Sequence, residues 1–225
     1  MKKIFLTGIL MVSLVLAAVA DGIVTARNYF DSVSAVYGAL RDYEADIDIK
    51  ANKTTMKGKV SYKKPNLLRI DFSTPSEQVI CFNGELLTIY LPGSSAILNQ
   101  SVQNTNSGNA NMATPQGLSL MSRYYSVAYL KSGTPVPLDD DAESPELVVK
   151  LRLSRKNTTE AFRYINMSVD PQSKLIRQLE GITPQGESFV FNFKNYILNS
   201  GIPDNRFVYD APSSANNYNN FLFSE

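Results

Sequence analysis

A mainly β fold carrying two amphipathic helices, with one largely antiparallel sheet of about ten strands, is predicted by three observations. Apolar and polar residues alternate with period two along much of residues 43–98 and 146–197, the mark of strands with one buried and one wet face. Turn-forming clusters, among them Lys64-Pro65-Asn66, Asn83-Gly84, Asp170-Pro171-Gln172-Ser173 and Pro184-Gln185-Gly186, separate those runs at short intervals. Only residues 23–40 and 117–130 show helical spacing.

At the N-terminus, Lys2 and Lys3 precede an apolar run of about fourteen residues, Ile4 to Ala17, and the small-residue stretch Ala18-Val19-Ala20. This is the plan of a secretory signal peptide over residues 1–20, and the run is short against the roughly twenty residues of a membrane span. Cleavage near Ala20 is expected. An uncleaved anchor is the other reading, marked by mature protein that begins before Asp21. No cysteine lies near the cut to carry a lipid, so the product should be soluble. Residues 21–225, about 205 in number, suit one domain with a sizeable core.

Residues 23–40 place Ile23, Ala26 or Arg27, Phe30, Val33, Tyr37 and Leu40 on one face of a helix. The period then becomes two. Tyr43, Ala45, Ile47 and Ile49 alternate with Glu44, Asp46, Asp48 and Lys50. Met56, Gly58, Val60 and Tyr62 face opposite Lys57, Lys59, Ser61 and Lys63, and Leu68, Ile70 and Phe72 opposite Arg69, Asp71 and Ser73. Strands 78–82 and 86–91 flank Asn83-Gly84, a pair expected to supply the positive φ angles of a tight hairpin. A short strand at 96–98 follows. Ser101 to Gln116 is rich in asparagine, serine and glycine and reads as a mobile loop. In residues 117–130, Leu118, Met121, Tyr125 and Ala128 have helical spacing, which suits a plain core helix or a lid equally. Lys131 to Pro145 returns the chain to strands at 146–153, 162–169, 174–182 and 187–197. A sheet of this size is expected to curl. Pattern alone leaves open whether its interior is filled or hollow.

Histidine is absent, which removes the usual general base of hydrolases and the commonest zinc ligand. No glycine-rich phosphate loop is present, and Asp46 and Asp48 read as solvated strand positions. The run Asp139, Asp140 and Asp141 lacks the spacing of a calcium loop and reads as solvated. A carboxylate pair assembled only by the fold stays open, but no enzyme, metal or cofactor is expected. Without Lys2 and Lys3 the net charge moves from +1 to about −1, which argues against nucleic acid as a partner. Cys81 is the only cysteine and is expected to be a buried small hydrophobe.

Two blocks carry a resemblance. Gly58-Lys59-Val60-Ser61-Tyr62-Lys63-Lys64-Pro65-Asn66-Leu67-Leu68-Arg69 and Val79-Ile80-Cys81-Phe82-Asn83-Gly84-Glu85-Leu86-Leu87-Thr88-Ile89-Tyr90-Leu91-Pro92 resemble the LolA family of lipoprotein carriers. In that family a glycine-led strand ends in a basic residue, proline and asparagine, and a strand pair turns on Asp-Gly or Asn-Gly. Ile176-Arg177-Gln178, Ile202-Pro203-Asp204, Phe207 and Pro212 extend the likeness, while the middle loops depart from it. The resemblance implies an incomplete antiparallel β-barrel of about ten to eleven strands with a helical lid. Its apolar cavity would shield the acyl chains of a lipoprotein crossing the periplasm. It also implies an inner-membrane ABC transporter as donor, and an outer-membrane receptor or the membrane itself as acceptor. A monomer is expected.

The family arginine that bonds to the lid aligns with Lys64, which keeps the charge but not the planar fork. Lid control is therefore assigned to Lys64 by resemblance, with a solvated turn lysine as the other reading. Leu68 stands where the family often has an aromatic in transporter contact. Val60, Tyr62, Leu68, Ile70, Phe72, Phe82, Ile89, Met121 and Tyr125 are the candidate residues of the acyl-chain cavity or its rim. Because LolA-like folds also occur in stress sensors and glycolipid carriers, a lipid-binding or lipoprotein-sensing envelope module is the alternative.

Overall fold

The computed structural model describes residues 24–102, 113–139 and 146–221. The expected signal peptide, most of the Ser101 to Gln116 loop, and Asp140 and Asp141 lie outside the described residues. Helix α1 spans Ala26–Ala39, starting where the Thr25 side chain accepts the Asn28 amide at 3.1 Å. Its buried face is Tyr29, Phe30, Val33 and Tyr37; the last three belong to the stripe expected from spacing, and Tyr29 joins them. Each such side chain contributes on the order of 1.5–3 kcal/mol on burial.

Strands β1 (Asp42–Ala51), β2 (Thr54–Lys63), β3 (Leu67–Thr74), β4 (Ser76–Phe82), β5 (Leu86–Leu91) and β6 (Ala96–Ser101) form an antiparallel meander. The alternation holds through β1 and β3, whose even-odd pattern divides buried from half-exposed positions. On the outer face of β1 and β2, Lys59 meets Asp46 at 3.2 Å and the Ser61 hydroxyl donates to Glu44 at 2.9 Å. At the β4–β5 turn only Gly84 takes a positive φ, of 101°. Asn83 acts through its side chain, whose oxygen accepts the amides of Glu85 and Leu86 at 3.0 and 2.8 Å. The expectation that both residues of the pair would take positive φ angles is thus corrected.

Helix α2, Pro115–Tyr124, is shorter than residues 117–130 suggested and begins earlier. Thr114 caps it by accepting the Gly117 amide at 3.1 Å, and Pro115 occupies the first turn, where no amide is needed. Tyr125 and Ala128, read as helical, lie instead in β7 (Tyr125–Tyr129). Tyr125, Val127 and Tyr129 also alternate, and pairing with β9 (Leu147–Arg155) outweighed helix spacing. β8 is the two-residue strand Val136–Pro137, also beside β9. β10 (Tyr164–Val169), β11 (Ile176–Ile182) and β12 (Ser188–Leu198) complete the antiparallel run.

The spatial order is β13-β6-β5-β4-β3-β2-β1-β12-β11-β10-β9-β7, with β13 (Asn216–Asn219) running parallel to β6. β1 closes on β12, so the two halves of the chain are joined at the centre of one sheet. The ends, β13 and β7, are not paired with each other: the barrel is incomplete, as expected, but has thirteen strands rather than ten to eleven. The added strands are β7, hidden under helical spacing, the very short β8, and the asparagine-rich β13.

Both helices lie against the inner face, where one core joins α1, α2, β1–β3, β7 and β9–β12. The segment after β12 crosses the outer face of β1–β4 as a strap. Along that strap, Gly201 donates its amide to the buried Asp42 carboxylate at 3.2 Å, Lys63 reaches the Ile202 carbonyl at 2.7 Å, and Phe207 is fully buried. The Cys81 thiol, buried as expected, donates to the Phe207 carbonyl at 3.2 Å. Arg69 and Arg206 both bind the Asp71 carboxylate. Partial burial drives that carboxyl up, but hydrogen bonds from the two guanidinium groups outweigh burial and hold it below the ordinary range.

Candidate functional site

The inner face of the curled sheet bears a partly open cavity of about 180 Å³. Its walls come from β1 (Tyr43, Ile47, Ile49), β2 (Val60) and β3 (Leu68, Ile70) on one side. Leu179 of β11 and Phe191 and Phe193 of β12 line the other. Strands β3 and β11 stand four places apart in the sheet, so only its curvature lets them share one cavity. Ala113 and Thr114, at the entry to α2, form the cover.

The lining is aliphatic and aromatic, and its polar atoms have protein partners. The Tyr43 hydroxyl donates to the Ala113 carbonyl at 2.9 Å, and the Thr114 hydroxyl accepts from Gly117. A site of this kind takes hydrocarbon, which needs no hydrogen-bond partner. Among the described residues no cluster of histidine, cysteine, aspartate or glutamate is arranged to hold a metal ion.

A layer of tyrosines adjoins the cavity beside Tyr43. The Tyr43 ring lies 5.4 Å from Tyr62, 5.6 Å from Tyr196 and 6.1 Å from Tyr37, the last edge-on. The Ile176 amide donates to the Tyr37 oxygen at 3.1 Å, and Tyr196 donates to the Ile176 carbonyl at 2.9 Å. Tyr37 is then left to donate to Tyr196, 3.1 Å away. Burial pushes the Tyr37 hydroxyl up to about 12, partly offset by these bonds. Burial likewise raises Tyr43 well above the usual phenol value and Tyr62 to about 12, so the layer is neutral at physiological pH.

Of the residues singled out from sequence, Val60, Leu68 and Ile70 line the cavity. Tyr62 lies in the tyrosine layer, its hydroxyl 3.2 Å from the Pro65 carbonyl and 3.4 Å from the Gln116 side-chain oxygen. Phe72, Met121 and Tyr125 are buried in the surrounding core, and Phe82 packs half-buried against it. Ile89 lies farther out on the same face, between Ile80 and Leu98. The Lys64 ammonium bonds to the Gly38 carbonyl in the last turn of α1, where a cation meets the negative helix end. Its backbone amide donates to the Arg41 carbonyl at 2.9 Å.

Tyr43, Ile47, Ile49, Leu179, Phe191 and Phe193 were not among the candidates. Alternation in β1 marked Tyr43, Ile47 and Ile49 as inward-facing, yet did not tell which inward positions border the cavity.

Residues 47–210 match the family model of the outer membrane lipoprotein carrier protein LolA. The outer-membrane lipoprotein carrier protein of Actinobacillus pleuropneumoniae serotype 7 (strain AP76) is 26% identical over 227 residues, 96% of this chain and 94% of its own. Among solved structures, an uncharacterized conserved protein from Thermus thermophilus superposes with a TM-score of 0.56 at 9% identity, covering 86% of this chain and 98% of that one. MucB superposes with a TM-score of 0.52 at 8% identity, over 84% of this chain and 64% of its own. At these identities the structural likeness is one of fold. The family match takes in both cavity walls and every lining residue except Tyr43, and the chain belongs to the LolA family of outer membrane lipoprotein carrier proteins.

Proposed function

We propose that the protein is a periplasmic carrier that takes the acyl chains of lipoproteins into the cavity on the inner face of the sheet and moves them from the inner to the outer membrane. The observation that carries this reading is a partly open apolar cavity in which the Tyr43 and Thr114 hydroxyls are already bonded to protein. Each acyl methylene removed from water contributes about 0.8 kcal/mol, so about ten of them supply roughly 8 kcal/mol without covalent chemistry. At about 180 Å³ the cavity is smaller than the roughly 300–1,000 Å³ of typical ligand sites. Loading therefore requires the cover at Ala113 and Thr114 to move.

In this reading the signal peptide is removed near Ala20 and the carrier acts as a monomer. An inner-membrane ABC transporter loads it, and an outer-membrane receptor or the membrane itself unloads it. Mature protein incubated with membranes bearing a diacylated lipoprotein should release a soluble complex with that lipoprotein. Folded protein that extracts none sinks the proposal. Native mass spectrometry that finds free lipid in place of protein-linked chains would assign the cavity to lipid binding or sensing instead.

A further inference from the structure

The sheet ends at β13, which among the described residues pairs with β6 alone and exposes all four of its side chains. The Asn216 and Asn220 amides both donate to β6, to the Ser95 and Asn99 carbonyls at 2.8 Å. Backbone groups alternate in direction along a strand, so the amides and carbonyls of Asn217 and Asn219 point away from the sheet. At Asn220 the backbone turns into the left-handed region, with φ 55°, which confines the outward ladder to Asn217, Tyr218 and Asn219.

Sheet edges are ordinarily blunted by lysine, proline or a bulge. Asn216–Asn219 carries neither charge nor proline, and its register on β6 runs without a shift. Asn217-Tyr218-Asn219 also reads the same in both directions. On the outer face the Asn99 side-chain amide donates to the Asn217 and Asn219 side-chain oxygens at 3.4 and 3.3 Å, and the Thr88 hydroxyl donates to Asn99 at 2.9 Å. On the inner face Ile80, Ile89, Leu98 and Tyr218 stand opposite one another across β4, β5, β6 and β13. Tyr218, at the end of that row, is 53% exposed.

We propose that β13 is a self-association edge, through which two copies of the chain pair antiparallel about a two-fold axis at Tyr218. In that register Asn217 of each copy faces Asn219 of the other, and both pairs exchange two backbone hydrogen bonds, which uses every outward amide and carbonyl of the ladder. Their side chains meet amide to amide, each carrying donor and acceptor. The two Tyr218 residues form the close, non-hydrogen-bonded pair and cover each other's rings. A shift of one residue would set outward groups against groups already bonded to β6. An interface of this size is weak and reversible, so the dilute carrier is a monomer and the concentrated protein a dimer. No cavity-lining residue lies on β13, so the pairing is independent of the carrier reading.

Sedimentation of the full mature chain over a concentration series reaching roughly 1 mM tests this. A dimer should appear toward the top of the series. Asn217→Pro removes one outward amide per copy and leaves the amides that donate to β6, at an edge position where proline is tolerated. It should weaken the dimer by about tenfold or more without moving the urea midpoint of the monomer. Tyr218→Cys should form a disulfide-linked dimer on mild oxidation, because the paired Cα atoms lie about 4.5 Å apart. Asn217→Cys should not, since its two copies stand two residues apart along the strands, beyond bridging distance. Cys81 is buried and does not compete. A monomer throughout the series overturns the proposal, as do a dimer undiminished by Asn217→Pro and cross-linking of Asn217→Cys equal to that of Tyr218→Cys.

Discussion

Replacing Tyr37 by phenylalanine removes one oxygen from the hydrogen-bonded ring of Tyr37, Tyr196 and Ile176 while leaving the aromatic packing in place. Tyr37 and Ile176 are both fully buried, so water cannot replace the missing acceptor. The Ile176 amide is left without its partner, at about 1–3 kcal/mol, and the Tyr37–Tyr196 bond is lost, at about 0.5–1.5 kcal/mol. The total loss is therefore about 2–4 kcal/mol, with a fall in Tm on the order of 5–10 °C for a domain of this length. Urea unfolding of Tyr37→Phe, Tyr196→Phe and the double variant should show lower midpoints at constant slope. The double variant should cost less than the two singles together, because they break a shared bond. A loss below about 0.5 kcal/mol for Tyr37→Phe, or strict additivity, would refute the assignment of these hydroxyls to one network.

Three further outcomes follow from the same geometry. Burial raises Tyr37 and Tyr62 to about 12, so their contribution to stability should be intact below the unfolded phenol value near 10 and lost as pH rises through 12. Tyrosinate absorbance should then appear together with unfolding, and ionisation of these phenols near pH 10 in folded protein would contradict it. Phe207→Ala should cost about 3–5 kcal/mol by leaving a void under the strap, and should expose Cys81 to a thiol reagent that the unaltered protein resists. Equal labelling of both proteins would show that the strap does not shield the thiol. Val60→Phe adds bulk beside the 180 Å³ cavity and should reduce lipoprotein capture severalfold at a stability cost of no more than about 1–3 kcal/mol. Undiminished capture by the folded variant would place the acyl chains elsewhere.

Much of the sheet was legible because alternation is a local property of a half-buried strand. Tyr43, Ala45, Ile47 and Ile49 face the core as their spacing implied, and so do Leu68, Ile70 and Phe72. Residues 125–129 were misread because Tyr125 and Ala128 satisfy helical spacing from Leu118 and Met121 while the same stretch alternates with period two. The decision rested on β9, whose paired residues lie at 151–155. The candidate cavity was half legible for a similar reason. Val60 and Leu68 stood inside one recognisable block and Ile70 directly after it, whereas Phe191 and Phe193 arrive from a strand more than a hundred residues later.

By itself, the amino-acid sequence determined that this chain forms a largely antiparallel sheet with two amphipathic helices. It also pointed to the family and made histidine chemistry impossible, since periodicity, motif and composition are carried by neighbouring residues. The tertiary structure alone decided that β1 joins β12, that the curl leaves a cavity, and that Tyr43 reaches the Ala113 carbonyl while Lys64 turns to α1. Those outcomes depend on the register and curvature of strands distant in the chain, and no local pattern encodes which side chains a closing sheet will bring face to face.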